Sequence, residues 1–270
     1  MEIDLEICKT IAMRKGLSLQ FVIKEFQVFD VLGQIAMETA ASKELVFKGG
    51  TALNAVYLHD KQRFSEDLDF DLVDANVPQT VKYADKLAKT MTGFEIGEFR
   101  RVRQTVMFEC SFESPLGGRD HVRVDICGKK LITANPIVIG SAKSTFTDRF
   151  VTGFYVYSFD DLVARKMNAL RDRTEGKDVF DVYNSLPQCE NILVAIEKAL
   201  KSEGSDETVE QFLEETLSAV KKLNVKKASQ LTNSFIPSPS RPRSWEELKN
   251  SLLMELQKIL DQKIGKAKRA

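Results

Sequence analysis

The chain is poor in the residues that most often announce chemistry. Only four cysteines (Cys8, Cys110, Cys127, Cys189) and two histidines (His59, His121) occur in 270 residues. None share the spacings of a zinc site or a disulfide framework. Net charge is also missing, since 39 basic residues face 39 acidic ones. A nucleic-acid partner must therefore be held by a local patch and not by a global field. No apolar run approaches the about 20 residues that cross a bilayer. The opening Met-Glu-Ile-Asp-Leu-Glu has neither the basic start nor the apolar core of a signal peptide. A cytoplasmic protein with no membrane partner is expected. There is no Gly-Lys-Ser/Thr of a P-loop and no Gly-x-Gly-x-x-Gly, which removes support for those kinase and dehydrogenase classes. Internal repeats and low-complexity segments are absent as well.

What is present is ordinary globular material, with 43% hydrophobic and 29% charged residues. The length lies where one core begins to divide, which predicts two intimate lobes. The boundaries expected are 1–155 for a catalytic core with N-terminal covering helices, and 156–270 for a helical lobe that contributes to the active site.

The stretch Val46 to Leu72 is the hardest to explain as framework. Val-Phe-Lys48-Gly49-Gly50-Thr51 carries an apolar run through a glycine pair into a helix, where unpaired backbone N–H groups and the positive end of the helix dipole make an anion site. Further on, Asp67, Asp69 and Asp71 alternate with Leu68, Phe70 and Leu72. That is the period of a strand burying one face and showing carboxylates on the other. The triplet resembles the start of an EF-hand, but position six holds Leu72 where glycine is needed and position twelve holds Pro78 where glutamate is needed. The calcium reading fails.

In chain order, residues 1–42 read as helical, with an apolar stripe at Leu19, Val22, Phe26, Phe29, Leu32 and Ile35. Glu44 to Lys48 reads as a strand, Thr51 to Leu58 as a helix capped by Thr51, and Pro78 to Thr92 as another helix. Val106, Phe108, Cys110 and Phe112, a Pro115–Gly118 turn, then Val122, Val124 and Ile126 predict a hairpin. From Ser158 the chain reads as helical almost to its end, with helices over 191–202, 206–223 and from Trp245 to about Ile264, and a basic tail from Lys266 to Arg269.

Two aspartates one residue apart on a strand point the same way, and a third carboxylate on a neighbouring strand completes the hard oxygen ring that Mg²⁺ prefers. Asp67, Asp69 and Asp125 fit that requirement. A strand aspartate such as Asp125, taken alone, is more often simply solvated. Lys166 is a candidate to offset charge on a leaving pyrophosphate, and Arg63 and Ser65 to contact phosphate. Read blandly, Lys166 is a surface lysine and Asp178 a helix-start charge.

Phe47-Lys48-Gly49-Gly50-Thr51-Ala52-Leu53 followed by Arg63-Phe64-Ser65-Glu66-Asp67-Leu68-Asp69-Phe70 resembles the signature of the AbiEii/AbiGii-type nucleotidyltransferases, relatives of the MenT toxins. Lys166 with Arg171, then Lys177-Asp178-x-x-Asp181, resembles the family's later motifs. The resemblance spans roughly residues 21–186. It implies an α+β, DNA-polymerase-β-like core, with a small mixed or antiparallel sheet flanked by helices, and a C-terminal helical lobe. It also implies a toxin–antitoxin or phage abortive-infection system with a cognate antitoxin. The implied chemistry is metal-dependent transfer of a nucleotide from a nucleoside triphosphate, with Mg²⁺ or Mn²⁺, to RNA at the acceptor end of tRNA, which inhibits translation. On that reading Asp67, Asp69, Lys166 and Asp178 are catalytic. The resemblance gives Gly50 and Thr51 to phosphate and Asp67 and Asp69 to metal; with the residues read from position alone, the expected substrate-binding set is Lys48, Gly49, Gly50, Thr51, Arg63, Ser65 and Arg171 and the expected metal set Asp67, Asp69 and Asp125. Asp71 is an additional carboxylate, read as structural.

Two other readings stay open, a transferase with a protein or small-molecule acceptor and a silent binding module that keeps the fold.

Overall fold

In a computed structural model the described residues are 3–39 and 42–267, and they form two compact units. The first comprises residues 1–131, 137–157 and 235–239, and the second residues 132–136, 158–234 and 240–270. The end of the expected basic tail, residues 268–270, lies outside the described residues.

The first unit opens with α1 (Leu5–Lys15) and α2 (Leu19–Thr39). Helical structure was expected across residues 1–42, and Gly16, with a left-handed φ of +64°, divides it by ending the first helix. Eight strands among the described residues then build one sheet: β1 (Leu45–Lys48), β2 (Asp67–Val73), β3 (Glu95–Ile96), β4 (Arg100–Val102), β5 (Thr105–Glu113), β6 (Arg119–Lys129), β7 (Val138–Lys143) and β8 (Phe150–Val156). Its order is β3-β5-β6-β2-β1-β8-β7, with β4 on β5. The β2/β6 and β1/β8 pairs are parallel and the others antiparallel, so the sheet is mixed and flanked by helices as expected. Two helices interrupt it, α3 (Gly49–Ala52), which widens into a π-helical turn over Leu53–Tyr57, and α4 (Val77–Ala88). The latter starts at an Asn76/Gln79 capping box, with Pro78 in its first turn.

The alternation seen in the sequence sorts the two faces of the sheet. Leu68, Phe70, Val106, Phe108, Val122, Val124 and Ile126 are buried on one side, joined by Phe47, whose ring lies 5.0 Å from that of Phe70. The apolar stripe of α2, with Val22, Phe29, Leu32 and Ile35, is buried likewise, and α2 and α4 pack on the sheet. The opposite face carries the aspartates. Late in the chain, Phe235 returns to this unit, stacking on Phe21 at 4.8 Å and accepting a 2.8 Å hydrogen bond from the Phe64 N–H.

The second unit is helical: α5 (Phe159–Arg173), α6 (Gly176–Ser185), α7 (Ile192–Ser202), α8 (Val209–Lys221), α9 (Val225–Thr232) and α10 (Trp245–Ala267). Ser158 caps α5 by accepting from the Asp161 N–H. Asp161 does more than complement a helix dipole, since its carboxylate accepts from the backbone N–H groups of Ala134 and Asn135 at 2.8 and 3.0 Å. At the start of α6 a side chain on Gly176 would stand 2.2 Å from Thr232 Oγ1, so glycine allows α6 and α9 to pack closely. No helix among the described residues is long and apolar enough to cross a membrane.

Candidate active site

The aspartates of β2 and the hairpin strand β6 meet in register. Because β2 and β6 run parallel, Asp67 stands opposite Arg123, Asp69 opposite Asp125, and Asp71 opposite Cys127. The expected third carboxylate is therefore brought beside the first two by main-chain pairing. Burial, then Asp69, with Asp67 adding, raises the Asp125 carboxyl to about 6, although Arg123 opposes the rise. Asp125 Oδ1 is buried, and its close contact is an ion pair with Arg123 that lacks good hydrogen-bond alignment.

Sequence reading missed Arg123. Its Nη2 donates to Asp67 Oδ2 at 2.8 Å and its Nε lies 3.1 Å from Asp125 Oδ1, so one guanidinium spans two of the three carboxylates. As they stand, no three His, Cys, Asp or Glu side chains among the described residues converge closely enough to hold a metal ion. The donor set nevertheless suits a hard divalent cation. It offers carboxylate oxygens only, and their mutual repulsion, which Arg123 offsets only in part, is relieved by added positive charge.

The glycine turn abuts this strand. Gly49 has φ +79°, and a Cβ there would lie 2.1 Å from Asp69 Oδ2 and 2.8 Å from Asp69 Cβ, so only glycine lets the helix start approach the aspartate. The helix begins at Gly49, two residues before the expected cap. Thr51 does not cap it, since its hydroxyl donates to the Asp67 carbonyl at 2.5 Å and ties the turn to β2. Asn54, also missed in the sequence, is buried and braces the same turn. Its Nδ2 donates to the Gly50 carbonyl and its Oδ1 accepts from the Arg63 N–H, both at 2.9 Å.

Three side chains expected to touch substrate are committed elsewhere. Arg63 is only 3% exposed and donates to the Phe64 carbonyl at 2.9 Å, so its guanidinium braces the loop. Lys48 Nζ sits 2.5 Å from Asp71 Oδ1, and Tyr157 donates to Asp71 Oδ2 at 2.6 Å. Burial works against both charges, but Lys48 pulls the Asp71 carboxyl below its usual range and Asp71 holds the ammonium above its own. Asp71 and Lys48 thus form a part-buried pair braced by Tyr157. Arg171 packs over the Phe212 ring at 4.8 Å and pairs with Glu207 at 2.5 Å and Asp172 at 3.0 Å, all inside the helical unit. Ser65 is half-buried in the loop just before β2.

The later lysine and aspartates meet within the helical unit. Lys166 Nζ lies 2.7 Å from Asp178 Oδ1 and 2.8 Å from Asp181 Oδ2, and Arg173 binds Asp178 through two nitrogens at 2.7 and 2.9 Å. Lys166 is no surface lysine, and Asp178 and Asp181 are fully buried. Burial opposes ionisation of Asp178, but Arg173 and Lys166 outweigh it and hold the carboxyl down to about 2.

Paired strand carboxylates beside a glycine-turned helix start place the molecule in the class of nucleotidyltransferases. A family model described as nucleotidyl transferase AbiEii toxin of a type IV toxin–antitoxin system matches residues 30–263, and the chain belongs to that family. Membership brings a nucleoside triphosphate as substrate and an antitoxin as partner. Among solved structures, the nucleotidyltransferase toxin MenT4 from Mycobacterium tuberculosis H37Rv is similar in fold. It has a TM-score of 0.60 at 14% identity, covering 95% of this chain and 90% of that one. An antigenic nucleotidyltransferase-like protein from Paracoccidioides brasiliensis matches at a TM-score of 0.41 and 16% identity, over 77% of this chain and 91% of that one, too distant to carry argument. No sequence among curated proteins matches significantly.

Proposed function

We propose that this nucleotidyltransferase toxin works in the cytoplasm, moving a nucleotide from a nucleoside triphosphate onto RNA at the acceptor end of tRNA and so stopping translation. In the step, a terminal hydroxyl of the acceptor gives up its proton to solvent as its oxygen bonds to the α-phosphorus, the bond from that phosphorus to the oxygen shared with the β-phosphate breaks, and pyrophosphate leaves with that oxygen. The observation that carries the chemistry is the register of Asp69 with Asp125, next to Asp67 and against the Gly49 turn. Asp67, Asp69 and Asp125 would hold Mg²⁺ or Mn²⁺. Such ions, when bound, bring attacking and leaving oxygens together and offset their charge. Backbone N–H groups at Gly49, Gly50 and Thr51 would hold the phosphates. Ser65 would add a phosphate contact, and Lys166 and Asp178 would serve the nucleotide. The RNA half of the reading rests on the family resemblance.

The test offers labelled nucleoside triphosphates one at a time, with Mg²⁺ and total RNA, to the purified protein. RNA should become labelled, and Asp67→Asn should abolish the label. Label in protein alone would move the acceptor to another class, and label nowhere would overturn the transfer reading.

A further inference from the structure

The hairpin of β4 and β5 carries Phe99-Arg100-Arg101-Val102-Arg103-Gln104, all exposed. Neither Arg100, Arg101 nor Arg103 forms an ion pair among the described residues. By contrast, Arg119, Arg123, Arg171 and Arg173 are each paired with carboxylates. In a chain of zero net charge such a concentration of unpaired guanidinium groups is a local positive patch.

Strand register gives the patch a direction. Arg100 stands opposite Met107, Met107 opposite Asp125, and Asp125 opposite Asp69, so Arg100 projects from the same sheet face as the carboxylates. Two strand spacings separate Arg100 from Asp125, about 10 Å. Lys129 continues the positive charge on β6, sharing the parity of Asp125, and it helps to hold the Asp71 carboxyl down. The Gly128 N–H donates to the Gln104 carbonyl at 3.4 Å, which joins the hairpin tip to that end of β6. Glu109, opposite Arg123, shares the face but lies farther from the tip. Arg103 takes φ +54°, a left-handed conformation that costs a non-glycine residue about 1 kcal/mol. Where the backbone favours glycine or asparagine, the chain places a cation.

We infer that the β4–β5 hairpin, with Arg100 and Arg103 at its centre and Lys129 beside it, binds the phosphate backbone of the acceptor RNA. It would hold the strand while the reacting end reaches Asp67, Asp69 and Asp125. The inference rests on the RNA reading above and adds the surface that holds the acceptor. Guanidinium groups bind phosphate through paired N–H donors, whereas the neighbouring Phe99 turns to the other face of the sheet, its ring 5.6 Å from that of the buried Phe108.

The test measures binding of fluorescein-labelled mixed tRNA by anisotropy across a salt series, for the full chain and for Arg100→Glu/Arg103→Glu, with triphosphate affinity measured alongside. Both residues are exposed, and unchanged circular dichroism and melting would show an intact fold. The variant should bind RNA at least about tenfold more weakly, with the salt slope reduced by about two, one unit for each lost phosphate contact. Its triphosphate affinity should be unchanged. Equal RNA binding by both proteins would overturn the hairpin's role while leaving the RNA reading standing. No RNA binding or labelling by the unaltered chain would remove the RNA reading itself. Reversal that leaves RNA binding intact but prevents neutralisation by the antitoxin would make the hairpin a protein-docking surface and overturn the inference.

Discussion

Gly49 and Asp69 are in contact so close that a methyl group on the glycine would stand 2.1 Å from the carboxylate oxygen. Gly49→Ala therefore combines a strained φ with displacement of a candidate metal ligand. Nucleotide transfer should fall at least about a hundredfold, since an ångström of misplacement alone can have an effect of that order. Gly117 is the control: its φ is +91°, but no atom lies within 4 Å of its missing Cβ. Gly117→Ala should lose only about 1 kcal/mol of stability and keep its activity. Equal activity loss in both variants would mean that backbone strain, and not the aspartate, is what matters.

Asp125 sets a pH dependence. Its carboxyl is raised to about 6, and the unfolded value is about 3.9. The folded state keeps the proton through the window from about 4 to about 6, so stability falls as pH rises through that window and stays lowered above it. Asp125→Asn should flatten this slope and raise stability at pH 8 by about 2 kcal/mol, a shift in Tm of about 5 °C. Divalent cation should raise the Tm of the unaltered chain more at pH 8 than at pH 5, and raise that of the variant much less. Thermal melts across pH, with and without Mg²⁺, measure all of this. A Tm that ignores Mg²⁺ at both pH values would count against the carboxylates as a metal site.

Lys166 poses a choice between chemistry and support. Lys166→Met leaves Asp178 and Asp181 buried with a partner removed, which should cost about 3 to 5 kcal/mol in a chemical denaturation curve. The double variant Lys166→Met/Asp181→Asn removes one of those charges and should recover part of the loss. Transfer still absent in a stable double variant would mean that the ammonium serves the nucleotide, whereas transfer returning with stability would make Lys166 structural. On the acid side, Asp178 contributes stability that is fully present above its unfolded value of about 3.9 and is lost as pH falls through about 2.

The parts of the fold written in short repeating patterns were legible. The Asp67-x-Asp69-x-Asp71 alternation, the parity of Val106 to Phe112 and Val122 to Ile126, and the Ser158 cap each depend on neighbours a few residues away. Strands β7 and β8 were not legible. Gly140 and Gly153 interrupt them, and β7 is an edge strand that buries only Gly140 and Ala142, so its alternation is faint.

Within the site, the residue types were readable but their commitments were not. Thr51 has the composition of a helix cap, yet its hydroxyl goes to a carbonyl sixteen residues away. Lys48 looks like a phosphate ligand until β1 pairs with β2 and brings Asp71 within reach, with Tyr157 arriving from 86 positions further along. Arg123 carried no motif, and only the parallel register of β2 and β6 sets it between Asp67 and Asp125. Tertiary pairing decides such assignments, and local sequence does not encode it.

The return of residues 235–239 to the first unit bears on how the enzyme is born. Ile236 is wholly buried there, and the Phe235 carbonyl takes the N–H of Phe64, three residues before Asp67. A nascent chain that has delivered every aspartate of the sheet still lacks this piece. Packing around the loop that leads into β2 must wait for synthesis to pass Phe235, so chains broken off earlier should lack a finished site.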